Sequence, residues 1–447
     1  MTVTRQLANF VVDTNFKDIG IKVREHAKLC ILDWFGAALA GSLEPNAKII
    51  TSIMREMGGK KQSTIIGTRN QTSSINAALA NGIIGHTIEL DDIHEEAIIH
   101  PAAPVIPAAL AIGEYNNISG RDLITSIILG YEVEIRIGCA INPSHYRFWH
   151  TTGTCGTFGA AAAVGKILGL DCEKMIHALG IAGTQAAGLV EVFGTMSKSL
   201  NPGRAARDGV LSALLAQKGF TSSDLILEAD KGYCRATAEE YDFDKITENL
   251  GNGFELTNNI FKLHASCGHT HGAIDAVLNL TKKNDVKLDG IDEIIVETYP
   301  SAVELVGKNF EPKTASEGKF SLPYCLATAL IFRKVGIAEF TKERLKDSRI
   351  LELSRRVKVT VNPEYVNARL GCAKVTLRTV DGEEFSNRVD VPKGYPKNPL
   401  TKVELENKFR NLASSVLPSG QIEKIILTLR NLDKLDNVKV LIALLQN

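Results

Sequence analysis

The chain lacks the excess of charge of one sign that binding to nucleic acid or to an anionic membrane surface requires. Its 447 residues carry 51 Lys and Arg against 51 Asp and Glu, so no overall field attracts a polyanion. No apolar run approaches the roughly 20 residues that span a bilayer, and the N-terminal MTVTRQLANF has neither the basic start nor the apolar core of a secretion signal. We therefore expect a cytoplasmic protein with no nucleic-acid or membrane partner.

Paired cysteines and nucleotide-binding motifs are also missing. The eight cysteines stand singly, without a CxxC pair, which predicts free and mostly buried thiols. GxGxxG after a strand and GxxxxGK[ST] are both absent, so no nucleotide site is indicated. No repeat of fixed period or low-complexity tract appears.

The sequence instead shows two different patterns of apolar residues. The length favours two domains, and up to about residue 265 the apolar positions keep a helical period. Three of these predicted helices, 156–168, 178–190 and 205–215, are rich in small residues. Small side chains let helix axes approach closely, so we expect these helices at the centre of a bundle.

After residue 285 the pattern changes to that of strands. Alternation and β-branched residues mark 357–361 and 373–391, and Asp381-Gly382 predicts a tight hairpin turn. Helical patterning resumes at about 400. The pattern predicts an α+β module followed by a terminal segment that is suited to completing the first helical layer.

A dense group of titratable residues lies between 86 and 101, in HTIELDDIHEEAIIHP. Three prolines follow closely and predict a helix end and loop over about 92–106, where scaffolds commonly present reactive groups. The alternative is a capped helix end with surface charges. The group comprises His86, Glu89, Asp91, Asp92, His94 and His100.

Two further groups lie at predicted helix starts. His150 precedes the hydroxyl- and glycine-rich TTGTCG, which predicts either an anion site at a helix N-terminus or a simple threonine cap. The segment MSKSLNPGRAARDG places the cations Lys198, Arg204 and Arg207 near another predicted helix start. Positive charge at a helix N-terminus interacts unfavourably with the helix dipole unless an anion is bound there. The alternative is that these are ordinary surface residues.

A late group, LHASCGHTHG, combines imidazoles with a thiol. His264, Cys267, His269 and His271 are ligand types that zinc prefers. A second cysteine pair is missing, and helical turns would direct these side chains differently, so a metal is the weaker interpretation. Tyr324, just inside a helix after Pro323, is either packed or a proton donor.

Seven segments, in order along nearly the whole chain, form a family signature. They are LDWFGAALAGS (32–42), NGIIGHTIELDDIHEEAIIHPAAPVIPA (81–108), HTTGTCGTFGAAAAVGKILGL (150–170), ALGIAGTQAAGL (178–189), SKSLNPGRAARDGVLSALLAQKGFTSSDLILE (197–228), HTHGAIDA (269–276) and FSLPYCLATAL (320–330). Together they resemble the MmgE/PrpD family, which includes 2-methylcitrate dehydratase, cis-aconitate decarboxylase and iminodisuccinate epimerases.

The resemblance implies a mainly α fold with an α+β part. An all-helical bundle domain would be built from both chain ends, 1–266 and 399–447, with a smaller α+β lid domain inserted at 267–398. It also implies a homodimer, an active site in the cleft between the domains, and chemistry on small di- or tricarboxylates without metal or organic cofactor.

The resemblance also carries site residues onto this chain. The matching positions are Asp91, Asp92, His94, His100, His150, Lys198, His271 and Tyr324. Two positions depart from the family pattern, since Glu89 and Ile93 replace an Asp and a Thr.

These residues suit negative charge developing on carbon beside a carboxylate. Lys198, with Arg204 the weaker candidate, would bind a substrate carboxylate. His100 and His150 are the candidate base and acid because the unperturbed pKa of histidine lies near neutrality.

The remaining positions receive supporting roles. Asp91 or Asp92 would hold a histidine tautomer, Asp92 and His94 would also contact substrate, and Tyr324 and His271 would position substrate or donate a proton.

We therefore expect a cofactor-independent lyase, either a dehydratase of the citrate type or a decarboxylase of the aconitate type. An epimerase or racemase of an amino- or iminodicarboxylate is the alternative that uses the same acid and base. A metal-dependent hydrolase and a non-catalytic carboxylate-binding protein are the alternatives from other classes.

Overall fold

The computed structural model describes residues 1–284, 286–366 and 371–447, and it divides the chain into two compact units. The first unit is Met1–Ile260 with Thr401–Asn447, and the second is Phe261–Leu400. Among the described residues, no helix has both the length and the apolar content needed to cross a bilayer.

The first unit is helical apart from one pair of two-residue strands. Its helices are α1 (Val3–Asp13), α2 (Ile21–Gly41), α3 (Pro45–Met57), α4 (Ser74–His86), α5 (Ala102–Asn116), α6 (Gly120–Ile141), α7 (Thr151–Ile167), α8 (Cys172–Gln185), α9 (Ser197–Gln217), α10 (Tyr233–Thr237) and α11 (Asp244–Thr247). After the second unit the chain returns as α17 (Lys402–Ala413), α18 (Ser419–Arg430) and α19 (Lys439–Ala443). The short strands β1 (Ser63–Thr64) and β2 (Gln71–Thr72) pair antiparallel, a departure from the all-helical expectation.

Small residues place α7 and α9 at the centre of this unit, as the sequence predicts. Every residue of α7 from Thr151 to Gly165 is buried. A side chain at Gly82 of α4 would come within 2.7 Å of the Gly203 Cα of α9, so the two helices approach too closely for any residue larger than glycine. This contact fixes the end of α4 beside the start of α9.

Two predicted boundaries in this unit are wrong. Helix α8 ends at Gln185 and does not continue to 190. Gly188 has a φ of 126°, and its carbonyl accepts a hydrogen bond from the His150 amide at 2.9 Å, so the segment pairs with the start of α7 instead.

The loop predicted over 92–106 is also shorter than expected. Helix α5 already begins at Ala102, so it contains Pro104 and Pro107. Pro104 lies in the first turn, where its missing N–H removes no helical hydrogen bond.

The second unit combines a mixed sheet with helices. Its strands are β3 (Ile291–Thr298), β4 (Val357–Val361), β5 (Ala373–Thr379) and β6 (Glu384–Val389), and its helices are α12 (His271–Lys283), α13 (Pro300–Val306), α14 (Ala315–Lys319), α15 (Leu322–Phe332) and α16 (Ser348–Arg355). The sheet order is β4-β3-β5-β6, with β3 and β4 parallel and the other pairs antiparallel. Gly382, with a φ of 83°, turns the chain between β5 and β6, which confirms the predicted hairpin.

Candidate active site

The site loop, residues 87–101, connects the end of α4 to the start of α5. Backbone hydrogen bonds hold it in two places, between Ile93 and Ile260 and between His94 and Ile99. Glu89 and Ile98 have positive φ angles of 60° and 49°, which cost roughly 1–2 kcal/mol each for residues other than glycine. Such a conformation persists only where surrounding contacts enforce it.

His86, the last residue of α4, forms a buried dyad with Asp91. The His86 Nδ1 lies 2.6 Å from the Asp91 Oδ2, and both side chains are fully buried. A carboxylate oxygen accepts, so Nδ1 carries the proton. The His86 Nε2 has no hydrogen-bond partner among the described residues, which leaves its lone pair available for a proton.

His100 has the same tautomer for a different reason. Its Nδ1 lies 2.9 Å from the Asp92 carbonyl oxygen, which can only accept, so Nδ1 donates. The same nitrogen lies 3.5 Å from the Asp91 Oδ2. The rings of His86 and His100 are 4.7 Å apart at 70°. With 14% of its side chain exposed, His100 is the member of this pair that can exchange protons with solvent.

His150 has the opposite tautomer. It is the residue directly before α7, and its Nδ1 accepts a hydrogen bond of 3.1 Å from the Asn201 amide nitrogen. The proton of the neutral ring is therefore on Nε2. Burial holds the pKa of His150 well below its usual range, and the charge of Lys198 adds to this effect. His150 is thus a neutral N–H donor at physiological pH.

The three imidazoles form one group. The ring of His150 lies 5.8 Å from that of His86 and meets Phe193 edge-on at 4.9 Å. We call His86, Asp91, His100 and His150 the histidine cluster. Since the His86 Nε2 offers a lone pair and the His150 Nε2 carries a proton, the cluster can both accept and deliver protons.

An ammonium group lies beside this cluster. Lys198, at the start of α9, forms an ion pair with Glu89 and lies 5.3 Å from the ring centre of Phe193. The two charged side chains are only 8% and 10% exposed, so their charges act in a poorly screened environment.

Asp92 supports the loop. Its carboxylate accepts hydrogen bonds from the Ala102 backbone amide at 3.0 Å, the Tyr131 hydroxyl at 3.0 Å and the Asn259 side-chain amide at 2.7 Å. Burial raises the pKa of Asp92 well above its usual range. These contacts tie the loop to α5 and α6, and they favour a structural role over direct contact with substrate.

Arg204 and His94 also contact protein groups. The Arg204 guanidinium donates to the carbonyls of Gln185 and Ala187, which fastens the segment after α8. The His94 Nδ1 accepts from the Ala97 amide at 3.3 Å, and its Nε2 lies 3.4 Å from Glu255. Both side chains are therefore engaged within the protein.

The late histidines lie in the second unit and have separate partners. The His264 Nε2 lies 2.9 Å from Asp275, and its ring contacts that of His271 at 5.0 Å. The His269 Nδ1 lies 2.7 Å from the Tyr299 hydroxyl, and burial lowers the pKa of His269 to about 4. Because His264 and His269 contact different partners, the late histidines do not form a shared metal site.

Tyr324 is also buried in the second unit. Its hydroxyl donates to the Glu339 carbonyl at 2.8 Å, and burial raises the pKa of its phenol. The phenol is therefore protonated and retains its capacity to donate.

His86, Asp91 and His100 have the composition of a metal-binding group, with ligand atoms within 4.8 Å of one another. Two ligands on one zinc ion are separated by roughly 3.3 Å, given bonds of about 2.0 Å at tetrahedral angles. The 2.6 Å between the His86 Nδ1 and the Asp91 Oδ2 is instead a hydrogen-bond distance. The geometry of these two side chains is therefore that of a hydrogen-bonded pair.

A cavity of about 430 Å³ lies elsewhere in the first unit, beside Glu96, Arg136, Lys245 and Glu255. Within the described part of the chain, none of the residues lining it belongs to the histidine cluster.

Three residues take part in this site although no motif assigns them a role. His86 completes the dyad, Glu89 pairs with Lys198, and Asn201 sets the tautomer of His150. The available signals were the position of His86 directly before the acidic segment and the three-residue spacing from Lys198 to Asn201, which places both on one face of a helix.

The comparisons with known proteins cover both units. The MmgE/PrpD N-terminal domain matches residues 5–246, and the MmgE/PrpD C-terminal domain matches 264–434. Cis-aconitate decarboxylase of Aspergillus terreus is 29% identical over 99% of this chain and 96% of its own length. The human cis-aconitate decarboxylase is 26% identical, covering 100% and 95%. The 2-methylcitrate dehydratase of Escherichia coli K12 is 20% identical, covering 94% and 92%. The chain therefore belongs to the MmgE/PrpD family.

Proposed function

We propose that this lyase decarboxylates an unsaturated tricarboxylate of the cis-aconitate type. The observation that carries the proposal is the pairing of opposite tautomers in the histidine cluster, beside a buried ammonium group. The higher identity to cis-aconitate decarboxylases, 29% and 26%, than to a 2-methylcitrate dehydratase, 20%, supports decarboxylation over dehydration.

In this mechanism the Lys198 ammonium contacts two carboxylates, that of Glu89 and one of the substrate. Its fixed charge stabilises the negative charge that develops when the bond to the leaving carboxylate breaks. The electron pair of that bond moves into the conjugated double bond, and CO2 departs. Because the charge forms in a poorly solvated site, the ammonium acts more strongly than it would in water.

His150 supplies the proton that completes the product. Its Nε2 gives up its proton to the carbon that carries the negative charge, which leaves His150 as an imidazolate beside the Lys198 ammonium until the proton is replaced, so each turnover consumes one proton. His100, which retains solvent exposure, returns a proton to the cluster. Asp91 holds His86 in the tautomer whose Nε2 lone pair can accept a proton within the cluster.

Further parts of the proposal rest on the family resemblance. His271 and Tyr324 position the remaining groups of the substrate, and the enzyme works as a cytoplasmic homodimer without metal or organic cofactor. Activity that survives dialysis against a chelator, together with a dimeric mass in light scattering, would support this. A monomer with full activity, or activity restored only by added metal, would contradict it.

The substrate test is incubation with cis-aconitate, 2-methylcitrate, citrate and iminodisuccinate, followed by NMR in D2O. We expect cis-aconitate to give CO2 and a product with one carbon-bound deuterium per turnover. The His150→Gln variant should be inactive, and His177→Gln, outside the cluster, should be active. Loss of water from 2-methylcitrate without CO2 would show a dehydratase, and inversion without bond cleavage would show an epimerase.

A further inference from the structure

We infer that Lys408, on the C-terminal helix α17, is a positioning residue for the histidine cluster. Its Nζ donates to the Leu90 carbonyl at 2.8 Å and to the Asp33 carboxylate at 2.6 Å. Leu90 lies in the site loop between Glu89 and Asp91. This inference rests on the proposed function of the cluster, and it assigns a catalytic task to the last segment of the chain.

The hydrogen bond to Leu90 acts on the peptide unit that leads directly into Asp91. Because a peptide unit is planar, fixing its carbonyl oxygen also fixes the amide and the Cα of the next residue. Among the described residues, no other donor reaches this carbonyl. The orientation of the Asp91 carboxylate toward His86 therefore depends on the ammonium of Lys408.

The residue before Leu90 is Glu89, another charged group of the site loop. Glu89 has a left-handed backbone and binds Lys198. A release of the Leu90 carbonyl would allow Glu89 to relax toward a lower-energy conformation. Lys408 thus constrains both the dyad and the ion pair through one backbone contact.

The packing of α17 on α2 makes this reach possible. A side chain at Gly36 of α2 would lie 3.1 Å from Leu412 and 3.4 Å from Phe409, so glycine permits the close approach of the two helices. Asp33, one turn earlier on α2, receives the ammonium. The side chains of Lys408 and Asp33 are only 7% and 1% exposed, and a buried ammonium needs such partners.

Two interpretations of Lys408 differ in their consequences. If the ammonium serves only to neutralise Asp33, the double variant Lys408→Met with Asp33→Asn should restore activity, because both charges are removed. If the ammonium positions the Leu90 carbonyl, the double variant should recover thermal stability but not kcat. Asp33→Asn alone should then retain most of its kcat, because Lys408 still donates to Leu90.

The test measures kcat, KM and thermal stability for these three variants, with Lys402→Met on the exposed side of α17 as the control. We expect Lys408→Met to lower kcat at least about tenfold, since small misplacements of reacting groups are costly, with a smaller change in KM. Recovery of kcat in the double variant, or an unchanged kcat in Lys408→Met, would overturn the inference.

A second readout does not depend on turnover. In protein labelled with 15N-histidine, the His86 Nδ1–H signal should be present in wild type and in Asp33→Asn, and broadened or shifted in the double variant. If wild type converts none of the carboxylates but this signal responds as expected, the proposed function fails while the positioning role stands. An identical signal in wild type and the double variant would contradict the positioning role.

Discussion

Replacing Asp91 by Asn removes one negative charge from the buried dyad while keeping the size of the side chain. The 2.6 Å hydrogen bond to His86 is charge-assisted in wild type. A hydrogen bond to a charged group contributes about 1.5–3 kcal/mol, against about 1 kcal/mol for a neutral one. The difference of roughly 0.5–2 kcal/mol corresponds to a factor of about 2 to 30 in a rate that depends on this hydrogen bond.

The catalytic loss should exceed this value because Asp91 also lies 3.5 Å from the His100 Nδ1. We therefore expect Asp91→Asn to lower kcat by about 10²-fold, within the range of general acid–base contributions. The weaker hydrogen bond should lower the free energy of unfolding by no more than about 0.5–2 kcal/mol, so the fold should persist. The assay compares kcat and KM across pH with the melting temperature of each variant.

Two outcomes would refute this reasoning. If Asp91→Asn keeps more than half of the wild-type kcat, the dyad does not take part in proton transfer. If the variant loses activity only in proportion to a fall in its melting temperature, Asp91 has a structural role instead.

Four further substitutions test the cluster and other buried groups of the first unit. His100→Gln and His150→Gln should abolish turnover in steady-state assays with melting temperatures close to wild type, and a large loss of stability would instead indicate a purely structural role. Lys198→Met should raise KM most for tricarboxylates, and an unchanged KM would exclude the ammonium from substrate binding. Glu134→Gln tests pH dependence: burial raises the pKa of Glu134 well above its usual range, so the wild-type protein loses stability as pH rises from the unfolded pKa of about 4.3 through the folded pKa. Glu134→Gln should match wild type in acid, where Glu134 is protonated in both states, and should be more stable than wild type at pH 8; equal slopes in pH-dependent chemical denaturation would contradict this.

The sequence predicts the elements well where one local pattern decides them. The alternation at 357–361 becomes β4, and the Asp381-Gly382 turn joins β5 to β6. Small residues also mark α7 correctly as a central helix. The helical period alone does not reveal where α8 ends, because the Gly188 backbone there pairs with the segment before α7, a tertiary contact.

The site can likewise be predicted only where a local sequence pattern marks it. The segment 86–101 is visible as a dense group of titratable residues, and it forms the site loop. The dyad partner of Asp91 and the tautomer of His150 depend on the arrangement of α4 and α9, which the spacing of residues does not specify. Lys408 has no local signal, since its partner Leu90 is 318 residues away.

The tautomers of the histidine cluster test the account most directly. Long-range 15N–1H NMR of 15N-histidine-labelled protein, with signals assigned through the Gln variants, reports which ring nitrogen carries each proton. We predict Nδ1–H for His86 and His100 and Nε2–H for His150 at neutral pH. A neutral His150 ring with its proton on Nδ1 would contradict the assignment of His150 as the proton donor.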